Sequence, residues 1–133
     1  MVTLQVPPNC DLTLGLRCID KSVPGVTVWA MRADERFANP AHVIQGGFLA
    51  AMLDSAMGAS AVTALEGRKA RVANAEMKVS FLRAAKVDAQ LRCEARVIEA
   101  GSTVIFVEAT IRDEENRLIA TASSTYIAKD RSQ

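Results

Sequence analysis

The sequence predicts an α+β domain: an antiparallel β-sheet wrapped around one long apolar helix. Three observations lead there. The run Phe48–Leu65 is too long for a strand and is dominated by Ala, Leu and Met, all strong helix formers. Beyond Gly67 the texture changes to runs rich in Thr, Val and Ile in which apolar and polar residues alternate. At 133 residues the chain has room for one core and no independent second one, so residues 1–133 are read as a single domain.

The elements follow in order. Leu12, Leu14 and Leu16 suggest a short extended piece. Between Gly25 and Arg36, Val26, Val28 and Ala30 alternate with Thr27, Trp29 and Met31, which predicts a strand. Breakers at Pro7-Pro8, Pro24-Gly25, Asn39-Pro40, Gly46-Gly47, Gly67 and Gly101 mark element ends. The helix carries apolar residues on every face, so it is expected to be enclosed on all sides. After it, Met77, Val79 and Phe81 alternate with Glu76, Lys78 and Ser80, and Leu91, Cys93, Ala95 and Val97 alternate with Arg92, Glu94 and Arg96. Thr103–Arg112 and Leu118–Ile127 are two more strands, separated by the charged turn Asp113-Glu114-Glu115-Asn116. Four consecutive antiparallel strands, a meander, are expected after the helix, with a long edge that a second copy of the chain could cover.

Composition excludes several function classes. With 50% hydrophobic and 23% charged residues the chain is no disordered or fibrous polymer. Lys and Arg number 16 against 15 Asp and Glu, too even a balance to hold nucleic acid or an anionic membrane across the surface. Cys10, Cys18 and Cys93 are odd in number and form no C-x-x-C pair, which reads as reduced thiols serving as small apolar fillers in a cytoplasmic protein. A lone histidine, His42, cannot supply a two-His zinc site, so no metal is expected. No basic segment followed by an apolar run opens the chain, and Phe48–Leu65 contains Asp54 and falls short of the ~20 residues of a membrane span.

Asp54 is the anomaly in that helix, because a carboxylate among apolar residues must find a partner, a proton or a reaction. Upstream, Gln45-Gly46-Gly47 stands where a loop enters the helix. There the free N–H groups carry a partial positive charge and glycine lets a substrate approach the backbone. Two readings of Gly46-Gly47 are open: a plain turn, or an oxyanion hole in which the Gly46 N–H polarises a carbonyl. Gly46 and Asp54 stand about 12 Å apart along a helix axis, at 1.5 Å per residue. A base and an oxyanion donor must both come within about 3 Å of the reacting group, so one chain cannot easily supply both. Two antiparallel helices in a two-fold dimer would bring Gly46 of one chain to Asp54 of the other.

The segments NPAHVIQGGFLAAMLDSAMGASA and NAEMKVSFLRAAK make the sequence resemble the hot-dog acyl-CoA thioesterases of the phenylacetic-acid-degradation (PaaI) type, over most of the chain from about Leu14 to Tyr126. That family shows an Asn, then six residues on a His-Gly-Gly, then an acidic residue nine after the His. The matching positions are Asn39, Gln45-Gly46-Gly47 and Asp54, with Gln45 replacing the His. The resemblance implies hydrolysis of an aryl- or fatty-acyl-CoA thioester, with Asp54 as general base or nucleophile and the Gly46 N–H on the carbonyl. It also implies that Asn39 positions water or substrate, that Gln45 hydrogen-bonds near the thioester, and that Asn74 helps to place the attacking water. Gln can donate and accept hydrogen bonds but takes no proton at neutral pH, so Asp54 alone would handle acid–base work. Asn39-Pro40 serves equally as a turn initiator.

His42 is read as a loop residue flanking the entrance. A hydratase-type pairing would need an acidic residue where Ala56 and Met57 stand. The coenzyme A phosphates call for cations and N–H groups, for which Arg83, Lys86 and the turn Gly101-Ser102-Thr103 are candidates. Phe48, Met52 and Met57 are candidates for the acyl pocket, with core packing the other reading of each, and Gly47 is a further substrate-binding candidate. Hydrolysis requires no cofactor beyond the coenzyme A of the substrate, and a homodimer or homotetramer is expected. The alternative is a non-catalytic module that binds acyl-CoA as a sensor or carrier.

Overall fold

A computed structural model describes residues 5–131. Helix α1 (Asn9–Leu14) leads into strands β1 (Arg17–Val23) and β2 (Val26–Arg32). A 3₁₀ turn at Glu35–Phe37 and a loop then enter the long helix α2 (Gly46–Ala64). Strands β3 (Ala70–Phe81), β4 (Gln90–Ala100), β5 (Val104–Arg112) and β6 (Leu118–Asp130) complete the chain. They form one antiparallel six-stranded sheet in the order β1-β2-β4-β5-β6-β3, and α2 packs on one face of it, touching all six strands. This is the hot-dog arrangement of a sheet around one central helix.

Four details depart from the sequence reading. The leucines at 12, 14 and 16 do not form an extended piece. Asn9–Leu14 is a helix entered from the extended Pro8 and stopped by Gly15 in the left-handed region (φ 72°), whose N–H reaches back to Asp11 and Leu12 carbonyls. The meander is three strands rather than four: β4, β5 and β6 are sequential neighbours, whereas β3 pairs with β6 at the far edge. Connection length gives the reason. Residues 101–103 and 113–117 are hairpin-sized links, but residues 82–89 between β3 and β4 are too many for a tight hairpin. Thirdly, Cys10 and Cys18 are exposed, and only Cys93 is a core filler.

The fourth departure concerns α2. Its buried residues, Leu49, Met52, Leu53, Ala56, Met57, Ser60 and Ala61, recur at helical spacing and occupy one side, against the sheet. The opposite side, with Gly47, Ala51, Asp54, Gly58 and Val62, is left partly or fully open in the single chain. The helix is apolar all round because small residues cover this second side, not because the chain's own sheet closes over it.

A polar pin fixes the register of α2 on the sheet. Thr27 Oγ1 on β2 donates to the Ala56 carbonyl (3.1 Å) and shares a 2.7 Å hydrogen bond with Ser60 Oγ, which lies 3.0 Å from the Ala95 carbonyl on β4. Both side chains are fully buried, so each hydroxyl is held where water cannot replace its partner. By length and composition α2 could cross a membrane, but it is the core helix of this sheet.

Candidate active site

The open side of α2 carries one carboxylate, and two side chains from the sheet meet it. Tyr126 OH donates to Asp54 Oδ1 at 2.6 Å, and Asn74 Nδ2 donates to the same oxygen at 2.9 Å. Asn74 Nδ2 also lies 3.3 Å from Ser124 Oγ and 3.4 Å from Tyr126 OH. Asn74 on β3 and Tyr126 on β6 are direct cross-strand partners, which brings both under one turn of α2. A register shift between Asn74 and Glu76 inserts an extra residue there. The bulge lets Asn74 and Met77, an odd number of positions apart, both turn to the helix side.

Tyr126 is 3% exposed, yet its hydroxyl is fully partnered. Burial first, and then the hydrogen bond to and charge of Asp54, push the phenol well above its usual value, against a smaller opposing contribution from Asn74. The hydroxyl therefore stays protonated and acts as a donor. The Asp54 carboxylate itself is exposed in the single chain, and its Oδ2 accepts no hydrogen bond from the described residues.

The N-terminus of α2 forms the second part. Gln45 is the N-cap in an extended conformation, its N–H donates to the Phe37 carbonyl (2.9 Å), and its side chain makes no capping bond. The first helical amides, Gly46 and Gly47, have no carbonyl four residues upstream within the helix and point out of its end. Glycine at 46 has a steric cause: a Cβ there would stand 2.9 Å from Phe81 Cζ. Phe81 and Arg83, with Ile44, Leu49 and Ala85, surround a hollow of about 490 Å³ at this amide. On the other flank Gln45, Gly47 and Phe48 border a hollow of about 460 Å³ shared with Leu14 and Cys10 of the α1 region.

The remaining sequence candidates distribute as follows. Asn39 Oδ1 accepts the Ala41 N–H (2.9 Å) and the Val43 N–H (3.3 Å), so this side chain shapes the loop before α2. His42 sits exposed in that loop with φ 61°, its N–H on the Asn39 carbonyl. Phe48 stacks on Phe37 with centroids 4.4 Å apart. Met52 and Met57 are fully enclosed on the sheet side of α2, away from the Asp54 side. Arg83 and Lys86 are exposed on the segment between β3 and β4, Arg83 beside Gly46 and Lys86 bridged to Val43. Gly101 and Ser102 lie elsewhere, where Arg68, just beyond the end of α2, donates to the Ser102 carbonyl (2.6 Å).

The structure thus joins Asp54 to Asn74 and Gly46 to Gln45 and Arg83, but keeps the two groups apart on one chain. It adds two residues that sequence reasoning missed, Tyr126 and Phe81 as neighbours of the two key positions. Tyr126 is the chain's only tyrosine and stands in an alternating strand; a buried tyrosine must place its hydroxyl on a partner, which was the available signal.

The model of the thioesterase superfamily matches residues 41–120 of the chain, which include α2, β3, β4, β5 and the start of β6. A phenylacetic acid degradation-related protein of Ralstonia eutropha JMP134 is 30% identical, with 90% of this chain and 89% of that one covered and a TM-score of 0.83. The Escherichia coli PaaI protein from the phenylacetic acid degradation operon shares the fold at a TM-score of 0.87 and 18% identity, with coverage of 94% and 87%. So does a Streptococcus pneumoniae TIGR4 protein whose structure holds coenzyme A, at 0.80 and 18%, with 89% and 88% covered. No curated protein sequence matches the chain. The class these findings define is that of the hot-dog thioester hydrolases. The chain belongs to the thioesterase superfamily and within it to the PaaI type.

Proposed function

We propose that this thioesterase hydrolyses an aryl- or fatty-acyl-CoA to the free acid and coenzyme A, at a site shared between two copies of the chain. The observation that carries this reading is the carboxylate of Asp54, held by Tyr126 and Asn74 on the one side of α2 that the chain's own sheet leaves open. The Gly46 amide of a second copy would polarise the thioester carbonyl, and Asp54 would attack it or activate the water that does. An antiparallel pairing of α2 with its copy is supported by the small residues Gly47, Ala51 and Gly58 around Asp54, and by the outer edge of β3, which is unpaired among the described residues.

In this reading Gln45 donates a hydrogen bond near the thioester but moves no proton. Phe48 gives the acyl group an apolar wall, and the exposed Arg83 and Lys86 on the segment between β3 and β4 are the cations offered to the coenzyme A phosphates, a pantetheine arm away from the thioester. Bound coenzyme A in the Streptococcus pneumoniae protein of the same fold supports that choice of thiol. Hydrolysis breaks the C–S bond, hands the acyl carbon the water oxygen, and returns the proton to the departing thiolate.

The test is thiol release from aryl-, short-chain and long-chain acyl-CoAs, wild type beside Asp54→Asn. Turnover that falls at least about 100-fold in the variant supports the reading, because loss of an essential base has effects of that order. Tight acyl-CoA binding with no turnover by the wild type would make the chain a binding module instead.

A further inference from the structure

The geometry points to Tyr126 as the residue that aims the Asp54 carboxylate: with Asn74 it saturates Oδ1 and leaves Oδ2 as the oxygen that faces the reaction. This rests on the reading of Asp54 as the reactive group. Tyr126 OH carries one proton and lies 2.6 Å from Oδ1 but 3.0 Å from the Asp54 carbonyl, so the carboxylate receives it. One Asn74 hydrogen takes the second position on Oδ1 at 2.9 Å. The other amide hydrogen turns toward Ser124 Oγ and Tyr126 OH, at 3.3 Å and 3.4 Å. Asn74 thus feeds Tyr126 and both feed one oxygen, while Asn74 Oδ1 is buried with no partner among the described residues.

Two donors on one carboxylate oxygen fix both rotations of the side chain, because any turn about χ1 or χ2 breaks both bonds. The ring is itself locked. It is 3% exposed, and a Cβ on Gly58 would stand 3.6 Å from its Cε1, so α2 rests on the ring at ordinary contact distance one turn beyond Asp54. A phenylalanine ring would fill the same space and lose only the hydroxyl. An aspartate at a helix surface otherwise samples several rotamers, of which one would meet a substrate seated on a second chain.

Tyr126→Phe separates aiming from packing. Expected is a fall in kcat of about 10- to 100-fold with KM within about twofold of wild type, since the acting oxygen is misplaced while the binding surface is intact. Asn74→Ala should lower kcat similarly. In an Asp54→Asn background Tyr126→Phe should change the residual rate no further, because no carboxylate is left to aim. Unchanged kcat in Tyr126→Phe, alongside an inactive Asp54→Asn, would overturn the role of Tyr126 and leave that of Asp54 standing. Full activity of Asp54→Asn would overturn the underlying reading instead. A Tyr126→Phe protein that loses its thermal transition would count against aiming, unless Asn74→Ala, cooperatively folded, shows the kcat loss at constant KM.

Discussion

The ring of Phe81 lies so close to Gly46 that a methyl group on the glycine would stand 2.9 Å from Cζ and 3.1 Å from Cε1. Phe81 is 53% exposed, so its ring can swing away without disturbing the core. Gly46→Ala should therefore leave the melting temperature nearly unchanged, while the displaced ring intrudes on the hollow at the α2 N-terminus and raises KM or lowers kcat. Adding Phe81→Ala removes the obstruction and should return most of the activity, because alanine keeps the backbone N–H. A double variant no better than Gly46→Ala would show that glycine at 46 matters for a reason other than this ring.

Tyr126 offers a direct optical readout, because it is the chain's only tyrosine. Facing its hydroxyl are Asp54 from α2 and Asn74 from β3, of which only Asp54 carries charge. Burial and then the carboxylate hold the phenol above its usual value of about 10. The folded state thus keeps a proton that the unfolded chain releases, and stability declines as pH rises above about 10. Tyrosinate absorbance should rise only at more alkaline pH than in a denatured control. In Asp54→Asn the rise should move part of the way back, since burial remains. An identical rise in both proteins, recorded where both are still folded by circular dichroism, would contradict the contact.

Much of this architecture is legible in the residues. The Ala, Leu and Met composition of Phe48–Leu65 marks α2, and alternation marks β2 through β6, because both signals are local. The pairing of β3 with β6 is not local, and nothing in Ala70–Phe81 specifies a partner some 50 residues on. The same limit hid Tyr126. Asp54 stands out as a charge in an apolar run, but which strand residue meets it depends on the Asn74/Glu76 bulge and the β3–β6 register. The one-sided burial of α2 was illegible for another reason: composition reports that both sides are apolar or small, not whether the same chain covers both.

Asp113, in the β5–β6 turn, gives the fold an acid-sensitive element. Its Oδ1 accepts the Glu115 N–H (3.0 Å) and the Arg117 N–H (2.9 Å), and its Oδ2 meets Arg117 Nε at 2.9 Å. Burial works to raise its value, but the bonds from Arg117, the Arg117 charge and the Glu115 N–H outweigh it and hold the carboxyl below the ordinary range. A depressed folded value means stability that is present above the unfolded value near pH 4 and lost as pH falls through the folded one. Asp113→Asn should unfold at lower denaturant than wild type at pH 7, and the gap between the two should narrow below about pH 4. A gap constant from pH 7 to pH 2 would mean that the charge on Asp113 plays no part.

The proposed shared site makes a prediction that no single-chain site can satisfy. Gly46 and Asp54 lie eight positions apart on α2, about 12 Å along its axis, whereas in the proposed reaction both reach one thioester. In a two-fold dimer each site draws Gly46 from one copy and Asp54 from the other. Homodimers of Asp54→Asn, and homodimers of a chain with a bulky residue at Gly46, should each be inactive. A mixed dimer places both faults in one of its two sites and leaves the other intact. Random mixing at equal concentrations yields about half mixed dimers with one good site each, so activity should return to about a quarter of wild type per total sites. Mass spectrometry of differently tagged chains confirms exchange independently of activity. Exchange without recovery would place both residues' contributions within one chain and remove the need for the antiparallel pairing of α2.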